Sequence, residues 1–303
     1  MNMMQCTIRS EASVSGTGLH TGNTATLTFH PAETGSGIRF RRTDLPQQPI
    51  IKAVVENVVS TDRGTVIGTD QFSISTIEHV MSALSGLGID NVLIDVDTNE
   101  VPILDGSALP IVSLLKDAGV REQDAERIFI GVDRKMEFTV PETGASYSIE
   151  PSERYSLEVE VNYKDVIGFG RKTLDDIRLY DSEIAPCRTF VFLKEILPLF
   201  ERNLIKGGDL RNAVVFIEKD VRQSDLDRVM DAIGKPRVKI GTRPFVNETE
   251  LRFDDEPVRH KMLDLIGDMA LMGKPLKAHV KASCPGHRSN VEFVRYLYSN
   301  NIR

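Results

Sequence analysis

The chain has 303 residues, 41% hydrophobic and 27% charged, enough for one large or two ordinary domains with proper cores. Lys plus Arg number 37 against 44 for Asp plus Glu, a net charge of -7, which argues against a general nucleic-acid-binding surface but leaves room for an anionic substrate held by local lysines. Cys6, Cys187 and Cys284 are scattered, which argues against a disulfide framework or a Cys-rich zinc site, and no run approaches the ~20 apolar residues of a bilayer span, so a cytoplasmic protein is expected.

The first ten residues lack an apolar signal core. Residues 7–9 and 24–29 are expected to form an opening hairpin, joined through Gly16-Thr17-Gly18-Leu19-His20-Thr21-Gly22, whose glycines permit tight turns. His20 falls on that loop, and the sequence fits a loop histidine without a role at least as well as a functional one. β-Branched residues cluster at 50–59 and 64–68, so more sheet follows. A helix opens at Ser75-Thr76-Ile77-Glu78-His79 and reaches about Gly86. Ser75 and Glu78 match the S-x-x-E capping box, a purely structural job for Glu78, whereas His79 on the open first turn can project into a cleft. Residues 92–96 read as a strand, 100–108 as a Pro/Gly-punctuated turn, and 109–118 as a helix ended by Gly119. The charged, apolar-poor stretch 121–127 reads as a linker, dividing the chain into domains 1–126 and 127–303.

Strand-like alternation resumes at 128–140, 146–149 and 157–163. Arg188-Thr189-Phe190-Val191-Phe192-Leu193 leads into a short helix at 194–201, and Gly207-Gly208 marks a turn before a compact strand at 213–217. The polar stretch 219–233 has helical spacing and reads as a surface excursion. A helix is then predicted over 256–273, with Pro257 in its first turn, Asp254-Asp255-Glu256 at its positive end and Gly273 closing it. Val258, Met262, Leu265, Ile266, Met269 and Met272 form one apolar stripe. His260, Asp264 and Asp268 form another at i, i+4 and i+8, drifting about 40° per turn, which is metal-ligand spacing and also that of an ordinary helix pair on a wet face. A strand at 277–282, a loop at 284–290 and a terminal helix complete the chain.

Each half thus holds strands, a helix bearing a histidine, a glycine and a further strand, which predicts a duplicated α+β unit whose two helices can face each other. A catalytic zinc needs about three protein ligands and an open position for water, and His79 from one half with His260 and Asp264 from the other supplies His₂Asp. Glu78 is the natural base for that water. The arrangement is not H-E-x-x-H, so the familiar metalloprotease motif does not apply.

Eight segments in order carry a resemblance: Leu19-His20-Thr21-Gly22, Ser75-Thr76-Ile77-Glu78-His79, Gly86-Leu87-Gly88-Ile89-Asp90-Asn91, Pro102-Ile103-Leu104-Asp105-Gly106-Ser107, Arg188-Thr189-Phe190, Lys206-Gly207-Gly208, the run from Arg259 to Asp268, and Gly286-His287. Together, from near residue 7 to near residue 295, they resemble the UDP-3-O-acyl-N-acetylglucosamine deacetylases, zinc amidases of lipid A biosynthesis in Gram-negative bacteria. The resemblance implies an α+β fold of two similar domains, each a layer of helices on a β-sheet. The helices would be sandwiched between the sheets, with the active site at the domain interface. It implies hydrolysis of the N-acetyl amide of UDP-3-O-acyl-N-acetylglucosamine, releasing acetate and UDP-3-O-acyl-glucosamine.

Residue by residue, it implies one catalytic Zn²⁺ per chain on His79, His260 and Asp264, with Glu78 as general base. His287 becomes the cation that stabilises the oxyanion or protonates the departing nitrogen, and Asp268 the partner that orients it. Thr189 resembles the hydroxyl that helps bind the tetrahedral intermediate. Lys261, Phe190 and Gly208 fall at substrate-binding positions, Phe190 packing on the sugar ring. Residues 191–214 match a βαβ insert in which Leu193, Ile196 and Leu204 would line an acyl-chain passage, although core packing of a short helix suits them equally. A cytoplasmic monomer is implied, with transient proximity to a membrane surface, no transmembrane segment and no nucleic acid.

The chain departs from the family pattern in a long 219–247 stretch and in Arg288-Ser289 after Gly286-His287. Some relatives carry a fused acyl-carrier-protein dehydratase domain; with sixteen residues after His287, that activity is not expected of this chain. Two other readings are a zinc amidohydrolase acting on another acylated sugar and a catalytically inactive nucleotide-sugar-binding relative. The inactive relative would have lost a ligand or the base, and none is lost.

Overall fold

The computed structural model describes residues 3–163, 166–201, 206–241, 244–246 and 250–302. The first half runs β1 (Met4–Ile8), β2 (Ala12–Thr17), β3 (Thr24–Pro31), β4 (Ile38–Arg42), β5 (Ile50–Lys52), β6 (Val58–Ser60), β7 (Val66–Gly68), β8 (Ser73–Ile74), α1 (Glu78–Leu87), β9 (Val92–Val96) and α2 (Leu109–Ala118). The second runs β10 (Val120–Glu126), β11 (Ile130–Gly131), β12 (Met136–Val140), β13 (Ala145–Pro151), β14 (Ser156–Tyr163), β15 (Gly168–Leu174), α3 (Tyr180–Glu183), β16 (Phe190–Phe192), α4 (Leu193–Glu201), β17 (Val214–Phe216), α5 (Gln223–Ala232), β18 (Phe245–Val246), α6 (Glu256–Met269), β19 (Leu276–Ser283) and α7 (His287–Ser299).

The two large sheets share one topology. Their orders are β2-β3-β9-β4-β5 and β12-β13-β19-β14-β15, with β11 beside β19. In each, the last strand enters the middle, antiparallel to the second strand and parallel to the third. A parallel join needs a crossover connection, and α1 and α6 occupy the corresponding places just ahead of β9 and β19. The duplication predicted from the sequence is therefore a duplication of strand order and direction.

Burial alternates along β3, β9, β13 and β19, so each sheet turns one face inward. One apolar cluster joins Leu27, Phe29 and Ile94 of the first sheet to Val159 and Val280 of the second, through Met81 and Leu84 of α1 and Met262, Leu265 and Ile266 of α6. The helices thus form a shared layer between the sheets. Both stripes of α6 are buried, including His260, Asp264 and Asp268, so these three do not sit on a wet face. The regular helix ends at Met269, a 3₁₀ turn carries it to Met272, and Gly273 closes it at φ 73°.

The layer is held at close range. A Cβ on Gly267 would lie 2.1 Å from the Glu78 carbonyl oxygen, so only glycine admits α1 at this distance. Ser82 Oγ donates to the Leu263 carbonyl at 2.8 Å and accepts from the fully buried Tyr180 hydroxyl at 2.8 Å.

Three expectations change. The opening hairpin is β2 with β3, while β1 pairs antiparallel with β10. Residues 121–127 are consequently a strand ending at a buried arginine: Arg127 bonds Asp90 at 2.6 Å and the Gly88 carbonyl. Its alternating charges are those of an edge ribbon, which composition does not separate from a linker. The 219–233 stretch, read as a surface excursion, holds α5, whose Leu226, Val229 and Met230 join Leu193 and Ile196 in a second core. The insert is thus a parallel β16–α4–β17 unit extended by α5 and by β18, antiparallel to β17.

Alanine in the middle of a helix ordinarily gains about 1 kcal/mol over glycine. At Gly267 we expect the opposite sign, a loss of about 1–3 kcal/mol from overpacking against Glu78. Thermal denaturation of Gly267→Ala checks it; an unchanged or raised melting temperature contradicts the close approach.

Candidate metal centre and its cavity

The close approach of the two helices brings together side chains 181 positions apart in sequence, from His79 to His260. One ligand atom each from His79, His260 and Asp264 lies within 4.8 Å of the others. His260 Nε2 is 3.3 Å and His79 Nε2 3.8 Å from Asp264 Oδ1, and the imidazoles meet edge to face with centroids 5.1 Å apart. Tetrahedral zinc with bonds of about 2.0–2.2 Å separates its ligand atoms by about 3.3 Å, so the cluster has the right size.

Donor chemistry fits as well. Asp264 Oδ1 is buried with no hydrogen-bond partner, which a carboxylate oxygen tolerates poorly unless a cation meets it. Its Oδ2 accepts from Lys261 Nζ at 2.9 Å. Burial works against the Asp264 charge, but His260, Lys261, His287 and His79 outweigh it and hold the carboxyl well below its usual range. Burial, then the neighbouring His260, pushes His79 down to about 3, and burial likewise lowers His260; both imidazoles are neutral, as ligands must be. His260 Nδ1 donates to the Cys187 carbonyl at 3.1 Å, leaving the Nε2 lone pair to face the cluster. The three residues could therefore hold a metal ion.

Glu78 stands beside them, and it does not cap its helix. Ser75 Oγ donates to the Asn99 carbonyl at 3.1 Å, and α1 has no side-chain cap. Thr76, a β-branched residue at φ 63°, turns the chain sharply into the helix. That conformation is held by Ser75 N–H on Asn99 and by the Ser75 carbonyl, which accepts from Val101 N–H. Glu78 is left to accept from Thr65 N–H at 2.9 Å. Burial pushes its carboxyl up to about 7, with the Asp268 and Asp264 charges adding to the effect and His287 opposing it.

His287 opens α7 across from Glu78. Its Nε2 is 3.9 Å from both Glu78 Oε1 and Asp264 Oδ2, while Nδ1 donates to Asp268 Oδ2 at 3.1 Å. Burial disfavours its charge, yet Asp268, Asp264 and Glu78 together raise it to about 10, so it is a cation at neutral pH. Asp268 also accepts from Thr65 Oγ1 at 2.5 Å and Asn290 Nδ2 at 2.8 Å. Its oxygens are thus taken up by three donors, His287 among them, and it is not one of the three clustered ligand candidates.

These groups open into a cavity of about 250 Å³. Thr189, Phe190, Gly208 and Lys261 line it, and Ile196, Leu199, Leu210, Val215, Val229 and Ile233 form an apolar arm. Lys261 Nζ lies 5.3 Å over the Phe190 ring, which also meets His260 edge-on at 6.2 Å. Thr189 is delivered by the buried Arg188–Glu256 pair at 2.9 Å, which ties its segment to the first turn of α6. On the other wall, the buried Glu100 carboxylate accepts from His20 N–H, Thr21 N–H and Thr21 Oγ1 at 2.7–2.9 Å. Gly207 and Lys206 N–H groups bond the Leu19 and His20 carbonyls, fastening the insert to that loop. His20 therefore lines the cavity.

Leu193 lies in the insert's own core and does not line the cavity, whereas Ile196 one turn on does both. Leu204 lies outside the described residues. Sequence reasoning missed Thr65, Asn290, Arg63, Glu195, Val229 and Ile233. The apolar spacing of Leu226, Val229, Met230 and Ile233 in a polar stretch was a signal for α5; Thr65 and Asn290 carried none.

A family profile described as UDP-3-O-acyl N-acetylglycosamine deacetylase matches residues 5–234 and 235–299. The chain is 43% identical over 296 residues to a bifunctional enzyme LpxC/FabZ of Bacteroides thetaiotaomicron, and 41% identical over 294 residues to one of Porphyromonas gingivalis. It spans 64% of the length of each of those relatives, with 97% of its own residues aligned. A UDP-3-O-acyl-N-acetylglucosamine deacetylase of Syntrophotalea carbinolica is 38% identical over 298 residues, 98% of this chain and 88% of that protein. By profile and by these relatives alike, the chain belongs to the UDP-3-O-acyl N-acetylglycosamine deacetylase family.

Proposed function

We propose that the chain hydrolyses the N-acetyl amide of UDP-3-O-acyl-N-acetylglucosamine, releasing acetate and UDP-3-O-acyl-glucosamine in lipid A biosynthesis, with one zinc ion on His79, His260 and Asp264. The observation that carries this reading is an orphaned, buried Asp264 oxygen facing two imidazoles in a cavity that Glu78 and His287, 3.9 Å apart, also line together with an apolar arm. Zinc, when bound, supplies Lewis-acid activation of water and of the amide carbonyl.

The protein's own groups do the rest. Glu78, raised toward neutrality, takes a proton from the attacking water. His287, held as a cation, faces the charge that develops on the carbonyl oxygen and gives a proton to the glucosamine nitrogen as the C–N bond breaks. Asp268 keeps His287 charged and, by accepting from Nδ1–H, leaves the Nε2 proton as the one given up. Thr189 offers a hydroxyl to the tetrahedral intermediate, a contact of the kind worth about 3 kcal/mol. Lys261 and Phe190 hold the sugar and its anionic substituent, and the arm from Ile196 to Ile233 excludes water around the acyl chain.

The reading also takes the chain to be a cytoplasmic monomer that meets a lipid-bearing substrate at a membrane surface. Among the described residues no helix is long and apolar enough to cross a membrane. Mass-spectrometric detection of acetate release from the acylated UDP-sugar, with and without a chelator, tests the activity directly; release that a chelator leaves unchanged rejects the metal.

Replacing His260 by alanine should lower bound zinc well below one ion per chain, and full stoichiometry in a folded variant would sink the ligand assignment. Glu78→Ala should retain zinc and lose about 10²–10⁴-fold in kcat. Shortening the acyl chain should lower kcat/KM about fourfold per methylene, from ~0.8 kcal/mol of lost burial. A flat dependence on chain length would contradict an acyl role for the arm.

A further inference from the structure

Thr65 stands just ahead of β7, 1% exposed, and all three of its polar groups are committed. Its N–H donates to Glu78 Oε2 at 2.9 Å. Its carbonyl accepts from Ile77 N–H, the residue that enters α1, at 3.3 Å. Its hydroxyl donates to Asp268 Oδ1 on α6 at 2.5 Å. The residue before it is also constrained, since a Cβ on Gly64 would lie 3.0 Å from Glu78 Oε1.

We propose that Thr65 is a positioning residue that sets the proton-donating and proton-accepting sides of the reaction against each other, by holding Glu78 through its amide and Asp268 through its hydroxyl. The inference rests on the deacetylase reading for the roles of Glu78 and His287. Its geometry is independent of the metal. Asp268 Oδ2 is occupied by Asn290 Nδ2 at 2.8 Å and His287 Nδ1 at 3.1 Å, and the Asn290 amide is turned that way by the Tyr147 hydroxyl on its Oδ1 at 2.7 Å. Those contacts all pull on one oxygen, from the second half of the chain. Among the described residues, the Thr65 hydroxyl is the donor recorded on Oδ1, and it comes from the first half. Without it, a fully buried carboxylate oxygen is unsatisfied, and rotation of the carboxylate to relieve this swings the acceptor away from His287. Glu78 keeps its amide donor in any Thr65 substitution, so the hydroxyl can be removed selectively.

The test compares wild type, Thr65→Val and Thr65→Ser, each also in an Asp268→Asn background. Thr65→Val should lower kcat about tenfold, the size expected from losing one charge-assisted hydrogen bond, with KM within about twofold and one zinc per chain. Thr65→Ser should recover most of that loss, and in Asp268→Asn the valine should have little further effect. In the metal-free protein, the downfield proton signal of His287 Nδ1–H should persist in wild type and Thr65→Ser and broaden or vanish in Thr65→Val. A melting-temperature loss with kcat unchanged, or a kcat loss undiminished in Asp268→Asn, overturns the proposal. Absence of acetate release by wild type would reject the deacetylase reading, and the proton signal would still decide whether Thr65 positions His287.

Discussion

The site depends on how closely α1 can approach α6. Helices ordinarily pack with axes 8–10 Å apart, a distance set by the side chains between them. Here the absent side chain of Gly267 lets the Glu78 carbonyl sit where a Cβ would be. That contact fixes Glu78 and His79 at the start of one helix against Asp264, about one turn before the glycine, and Asp268, directly after it, on the next. Ser82 then bonds the Leu263 carbonyl, so the interface is held by a polar contact as well as by packing. Two related α+β units share one core through these helices, and the candidate site sits where the helices come closest.

Such a junction is electrostatically demanding. Glu78, His79, His260, Asp264 and Asp268 are all buried, and charges taken out of water are stabilised only when partners meet them. The structure meets most of them internally: Asp268 receives three donors, His287 is a cation among three carboxylates, and Lys261 covers one oxygen of Asp264. The oxygen of Asp264 that faces the two neutral imidazoles is the exception. That oxygen is where a metal ion would meet the protein, and of the remaining groups burial raises the Glu78 carboxyl to about 7 while three carboxylates raise His287 to about 10.

The insert adds a wall that neither sheet provides. It has its own small core, built from α4, α5 and β17, and it is fastened at both ends of the cavity. Arg188 and Glu256 pin its start to α6, and the Lys206–Gly207 backbone pins it to the loop that Glu100 organises. The apolar arm is therefore continuous with the candidate site, and Val229 and Ile233 of the extended segment give it a side that a bare βαβ unit would lack.

The sequence by itself determined the features that are local and periodic. The spacing of His260 and Asp264 put two candidate ligands on one helix face, the repeated order of strands and helices announced the duplication, and motif order pointed to the family and to six polar groups the structure brings together. The bounds of α2 and the start of α6 were legible from periodicity and punctuation, whereas α1 opens at Glu78, three residues after the start its S-x-x-E spacing suggested. Tertiary structure decided what depends on partners. An edge ribbon such as β10 has the composition of a linker until β1 pairs with it, and a matched S-x-x-E spacing does not say that Glu78 will turn to Thr65 instead of its own helix. Helical period marked both Leu193 and Ile196 as apolar without saying which of two adjoining cores each would face. The i+8 spacing of Asp268 matched that of a ligand, yet 40° of drift per turn and the arrival of α7 gave it to His287. Those outcomes rest on contacts between segments remote in sequence, and a single chain's spacing carries no information about distances that only folding sets.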